Sequence, residues 1–253
     1  MRTRRYRHIE EISGYDLSIS DLMAALCCIF VLVTISIVAS LKEKNHLADK
    51  YKELQQDLFL DLTEEFDKDS ELKKWITIDE DTLSIRFSSD KGFGPRSAIL
   101  NSAYENVLQS FFPKLVRILE QDKYKNEIEE IRIEGFTAPD RSAKGGEESE
   151  EDYTTGIELS QQRTTNVLLY CLKNTDYSQE TDLEKKEAEE EWIRKHIVSN
   201  GYSLSKPLGT DGKLISEKRK LTDEEKAASR RVEFRIKTKS DDIVKKFQKI
   251  NGN

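Results

Sequence analysis

The sequence has little of what metal and nucleophile chemistry needs. It holds three cysteines and three histidines in 253 residues. No His/Cys cluster has metal-ligand spacing, and no glycine-rich loop is placed to cradle a phosphate. Cys27 and Cys28 sit together in an apolar run and Cys171 stands alone beyond it. The region after the run therefore holds no internal disulfide. No nucleophile–base pair or carboxylate pair stands out as catalytic, so an enzyme is not expected. Positive charge is not in excess either: 41 Lys and Arg face 48 Asp and Glu, a net charge of -7. A nucleic-acid partner would want a basic patch, and that balance argues against one.

What the chain does have is one long apolar run. From Leu22 to Leu41 no residue is charged. Twenty helical residues rise about 30 Å, the thickness of a bilayer's hydrocarbon core. Residues 19–41 are thus expected to form a transmembrane helix. Arg2, Arg4, Arg5 and Arg7 precede it, and Lys42 and Lys44 follow it. By the positive-inside rule the basic tail, residues 1–18, is cytoplasmic, and everything after the span faces outward, in a bacterium the periplasm.

An acid stands at the mouth of this span, in Ile19-Ser20-Asp21-Leu22-Met23. An ionisable side chain there is costly and is a functional hypothesis by default. Two plainer readings compete. Asp21 is also a residue type suited to capping a helix at the water interface. Val38-Ala39-Ser40 has the small residues of a signal-peptidase site. However, the run exceeds a typical signal core of about 7–15 residues and an acid precedes it, so a retained anchor is the stronger reading.

Beyond the span, residues 42–74 are polar, free of Gly and Pro, and read as a helical linker. Leu47, Tyr51, Leu54, Leu58, Leu62 and Phe66 make an apolar stripe that wants either a second copy or the chain's own domain. A domain over residues 75–240 follows, with a tail at 241–253. Ile76–Ile78 and Leu83–Phe87 alternate around Asp79–Asp81, as a hairpin does. After a loop with Gly92, Gly94 and Pro95, the residues Leu100, Ala103, Val107, Phe111, Leu115 and Ile118 share one helical face, which Pro113 is expected to bend or divide. A strand ending at Gly135 points Ile131 and Ile133 inward and Glu130, Arg132 and Glu134 outward. Residues 138–152, with the acidic run 147–152, read as an exposed loop. The next helix is expected to start at Ser160 and to bury Leu159, Val167, Tyr170 and Cys171. A charged surface helix within 175–196 is anchored by Trp192 and Ile193. A polar connection over 206–223 precedes the closing strand Val232–Lys237. Strands interleaved with helices on a mixed sheet predict an α+β domain.

Four segments of that domain resemble the OmpA-like, peptidoglycan-binding fold. They are Ile131–Thr137, Leu159-Ser-Gln-Gln-Arg163 with Val167 and Tyr170 behind it, Gly201–Pro207, and Arg230-Arg-Val-Glu-Phe234. Independently, Ile19-Ser-Asp-Leu-Met23 opening a single span resembles the ion-carrying segment of MotB-type stator subunits. The run from Leu159 to Tyr170, the enlarged segment through Trp192 and Ser229–Phe234 are most similar to the MotB-like subfamily of Zorya anti-phage defence systems; a flagellar-type MotB fits these insertions less well.

The resemblance implies a stator of an inner-membrane rotary motor. Asp21 would carry H⁺ or Na⁺, with no bound cofactor, against a five-subunit ring of a MotA-like (in Zorya systems ZorA-like) partner, in a five-to-two complex with a self-dimer of this chain. It also implies that an Asp after the strand-end Thr and the Arg of the LSxxR motif clamp the zwitterionic diaminopimelate of peptidoglycan. Arg163 stands at the Arg position and Thr137 at the Thr; Leu159 opens the motif. Ala138 stands where the Asp belongs, with Asp140 two residues on, and Thr155-Gly156 replaces the Tyr-Asn pair. Two other functions stay open on the residues alone: a passive wall tether without ion flux, and an energy transducer of the TolR or ExbD class.

Overall fold

The computed structural model describes residues 3–138, 150–178, 181–216 and 219–239. The chain divides into two compact units, Met1–Tyr51 and Lys52–Asn253. Helix α1, Thr3–Asp67, supplies the first and opens the second.

In the first unit the helix carries a stretch, Asp21–Glu43, of mean hydropathy 2.8 with none of its surface covered. Leu22 is 72% exposed and Leu32 67%. A helix apolar on every side is stable inside a core or a membrane, not in water. Among the described residues this is the one helix long and apolar enough to cross a bilayer.

In the second unit α1 behaves differently. Leu58, Leu62 and Phe66 recur every fourth residue, share one face and are fully buried. The Phe66 ring meets Phe111 at 5.1 Å between centroids. The compact domain thus begins at Lys52, ahead of the expected Trp75. This part of the stripe packs on its own domain; the side chain of Leu47 lies outside the described residues. After a 3-10 turn at Leu72–Lys74, β1 (Ile76–Asp79) and β2 (Ser84–Ser88) form the expected hairpin. The short α2 (Ser89–Gly92) leads to α3, Ser102–Leu119, whose N-cap Asn101 accepts from the Tyr104 amide at 2.9 Å. Pro113 does not divide α3, and Ala103 is exposed; the buried face runs instead through Tyr104, Leu108, Phe112 and Val116 beside the expected residues.

Then come α4 (Asp122–Lys125), β3 (Ile128–Phe136), α5 (Glu150–Asn174), α6 (Leu183–His196), β4 (Ile197–Gly201), α7 (Asp223–Ser229) and β5 (Arg231–Thr238). The sheet order is β1-β2-β5-β3-β4, with β3 and β4 parallel and the other pairs antiparallel. One face packs on α3 and α5 around Phe87, Phe111 and Phe234, whose rings lie 4.9–5.7 Å apart. The domain is α+β with a mixed sheet, as expected.

Three local expectations fail, the first of them through coverage by distant chain. Glu134 was expected to face outward and is 1% exposed. The segment after β4 lies over that face: Arg86 Nη1 donates to the Gly212 carbonyl at 3.0 Å, and Arg231 Nη1 to the Lys206 carbonyl at 3.1 Å. Ser160 does not start α5 but sits mid-helix, fully buried, its hydroxyl donating to Ile157 O and accepting from Ser203 N. Glu150–Asp152 of the expected acidic loop are the first turn of α5, where acids suit the helix dipole; the preceding residues 139–149 lie outside the described set.

Candidate functional site

Asp21 lies inside α1, eighteen residues past its first residue at Thr3. A capping residue stands outside the helix and satisfies amides that lack intrahelical partners. Asp21 has no such amides to serve, so the capping reading falls. Its side chain is exposed, and among the described residues none makes a hydrogen bond or ion pair with it. By contrast the Thr34 hydroxyl, further along the span, is satisfied locally by the Phe30 and Val31 carbonyls at 2.9 Å each. Asp21 thus stands at the start of an uncharged apolar run, Leu22–Leu41, with no partner among the described residues.

In the second unit, α5 positions the residues of the outer site. Gly156, Ser160, Arg163 and Val167 follow the helical repeat along one face, all buried. Arg163 is 5% exposed, and its guanidinium carbon lies 4.9 Å from the centre of the Phe93 ring. Its Nε donates to the Ser97 carbonyl at 2.9 Å and Nη2 to the Gly94 carbonyl at 3.3 Å. One turn on, Asn166 donates to the Ala98 carbonyl at 2.8 Å. Arg163 therefore grips the loop before α3. Burial pushes its pKa down, the Asp90 carboxylate opposes this, and the Arg230 charge adds to it. Arg230 itself holds Asp90 through two bonds of 2.7–2.8 Å.

Thr137 is placed elsewhere. Its amide donates to Ser203 O at 2.8 Å, and its buried hydroxyl oxygen has no hydrogen-bond partner among the described residues. It lies beside Gly156, where an added Cβ would come within 2.4 Å of Ser203 Oγ and 2.9 Å of Thr137 Oγ1. A side chain such as the family's Asn has no room there. Gly156 and Arg163 are seven residues apart on α5, about 10 Å along its axis, so Thr137 and Arg163 serve different neighbours. Leu159 is half-buried, Ala138 is half-buried, and Asp140 lies outside the described residues.

Sequence reasoning missed the Asp90–Arg230 pair beside Arg163. The adjacent Arg230 and Arg231 have different partners. Arg230 points to Asp90, whereas Arg231 crosses to the other sheet face, stacks 3.8 Å over Phe136 and pairs with buried Glu233. The local signal was the adjacency itself, since neighbours on a strand face opposite ways.

No family model matches the chain. Among curated proteins it is 32% identical over 237 residues to the Zorya protein ZorB of Escherichia coli strain Crooks, covering 91% of this chain and 90% of that one. It is 24% identical to the Zorya protein ZorB of Escherichia coli O139:H28, covering 92% of this chain and 84% of that one. Among solved structures, a MotB-like protein from Desulfovibrio vulgaris superposes with a TM-score of 0.50 at 21% identity, over 76% of this chain and 99% of that one. That likeness bears on the fold of the domain and agrees with an OmpA-like, MotB-like architecture.

Proposed function

The chain belongs to the family of the Zorya protein ZorB, and from that membership we propose that it is the ion-carrying, MotB-like stator subunit of an anti-phage defence motor. It works without enzymatic chemistry of its own. The basic tail stays in the cytoplasm, residues 21–43 cross the inner membrane once, and the Lys52–Asn253 unit stands in the periplasm.

The observation that carries the reading is Asp21. A carboxylate at the head of an exposed apolar helix needs a partner, and none of the described residues supplies one. A ring of MotA-like subunits around a dimer of this chain supplies it. The carboxylate takes up a cation from one side and releases it to the other. Each charge moved down 100 mV is worth about 2.3 kcal/mol. Neutralising the acid changes which ring contacts are favourable, and repetition becomes rotation. H⁺ and Na⁺ both suit a lone carboxylate.

The outer unit anchors the motor to peptidoglycan. That anchoring rests on the family likeness, because Arg163 is buried and its guanidinium holds the Ser97 and Gly94 carbonyls.

The test is a plaque assay on cells carrying the gene with its operon, comparing wild type with Asp21→Asn at matched protein levels. The expected outcome is loss of protection with membrane insertion and ring assembly intact. Undiminished protection by the variant would rule out ion carriage and leave a passive tether.

A further inference from the structure

Helix α6 is the charged insertion that the sequence singled out, and its attachment to the domain has an unusual electrostatic design. It docks through Ile193, fully buried, and through Trp192, which stacks on His196 at 4.6 Å and lies 5.7 Å beneath the Lys125 ammonium. On the other side of the contact is Glu120, the C-cap residue of α3. The Glu120 side chain is 11% exposed, and its Oε1 is buried with no hydrogen-bond partner among the described residues.

Burial and a second carboxylate disfavour the charge on this carboxyl, and one ammonium favours it. The C-terminal carbonyls of α3 place the negative end of the helix dipole beside it. Glu189 of α6 is a second carboxylate, held in place by the Ser178 hydroxyl at 2.6 Å. The connection between α5 and α6 adds Tyr177, whose ring packs on Phe112 at 5.3 Å and whose hydroxyl is kept neutral by burial first and by Glu190 next, with Arg194 opposing and Glu120 adding a little. The opposing group is Lys125 of α4, whose Nζ lies 3.6 Å from Oε1. That exceeds the span of about 2.7–2.9 Å for a strong charged hydrogen bond, and the same ammonium also serves the Trp192 ring. Burial first and Glu189 second push the Glu120 carboxyl up to about 7.

We propose that Glu120 and Glu189 form a proton-operated clasp fastening α6 to the end of α3. A proton on Glu120 lets it donate to the Glu189 carboxylate and closes the clasp. Its loss leaves two like charges in a buried contact and loosens α6. The sign follows from linkage. With α6 docked, Glu120 holds its proton to higher pH than when the contact is open. Docking is therefore strongest below the ordinary carboxylate pKa of 4.5, and that stabilisation is lost as pH rises to about 7. The clasp lies wholly within the Lys52–Asn253 unit and needs no ion flux at Asp21. In the orientation proposed above, which this one consequence rests on, it senses the pH outside the inner membrane.

Hydrogen exchange on the full chain in detergent micelles tests it, at about pH 5.5 and about pH 8, with each rate corrected for intrinsic exchange. Protection of 183–196 should fall at least about tenfold at the higher pH, while that of 104–112 in α3 holds. Glu120→Gln, uncharged and still a donor, should keep 183–196 protected at both. Equal protection of wild-type α6 at the two values, or a pH response that survives in Glu120→Gln, would overturn the clasp. The wild-type series decides the matter even if the variant folds poorly.

Discussion

Two parts of the same helix, α1, use leucine in opposite ways. Between Leu22 and Leu41 the apolar side chains go all round the helix and none is covered. Between Leu58 and Phe66 they occupy one face, every fourth residue, and each is fully buried against the domain. The first pattern has no solution within the chain; the second is completed by Phe111. The difference shows where each region's partner lies. A surface apolar on all sides is matched to lipid and to other subunits, and a single stripe is matched to one neighbouring layer.

The same substitution in the two places sharpens that contrast most. Leu62→Ala should lower the unfolding free energy of the domain by about 2–5 kcal/mol, through lost burial and the cavity left behind. Leu32→Ala should leave the same transition within about 0.5 kcal/mol of wild type. Denaturant unfolding of the full chain in detergent, followed by tryptophan fluorescence, reads both. Comparable losses would mean that the two parts of α1 share one stabilising core.

A smaller effect probes how closely the second unit is packed. At Gly135 an added Cβ would come within 2.7 Å of both the Ser160 carbonyl oxygen and Thr164 Cγ2. Gly135→Ala should cost about 1–3 kcal/mol by overpacking β3 against α5, measurable in the same unfolding experiment. No uncovered face of the span carries an equivalent constraint.

The smallest effect concerns the polar join just past α1. Asp69 accepts from Lys114 at 2.6 Å and from Ser110 at 2.9 Å. The Lys114 contact above all holds its carboxyl down at about 2. The folded-state value is depressed, so the stabilisation is present above the unfolded value of about 4 and is lost as pH falls through about 2. Because this ion pair is partly open to solvent, Asp69→Asn should cost only about 1 kcal/mol at neutral pH. The deficit should vanish in strong acid, which a pH series of unfolding midpoints would register.

Much of this was legible because it is written in local periodicity. The hairpin β1–β2, the inward Ile131 and Ile133 of β3 and the strand β5 all emerged where alternation met turn residues. Strand β4 did not: Ile197-Val-Ser-Asn-Gly201 is short, scarcely alternates, and is a strand because β3 lies parallel to it. Arg163 was readable as a motif residue. Its grip on the Gly94 and Ser97 carbonyls, more than sixty residues away, was not.

By itself the sequence determined the span, the acid at its head, the α+β character of the domain and its family likeness, because hydrophobic length and period act within a few residues. Tertiary structure alone decided that Ser160 is buried mid-helix. It also decided that Glu134 and Glu233 lie under a covering segment and that Glu120 Oε1 is buried. Whether a polar group is buried depends on what distant chain comes to rest on it, and no local pattern carries that information.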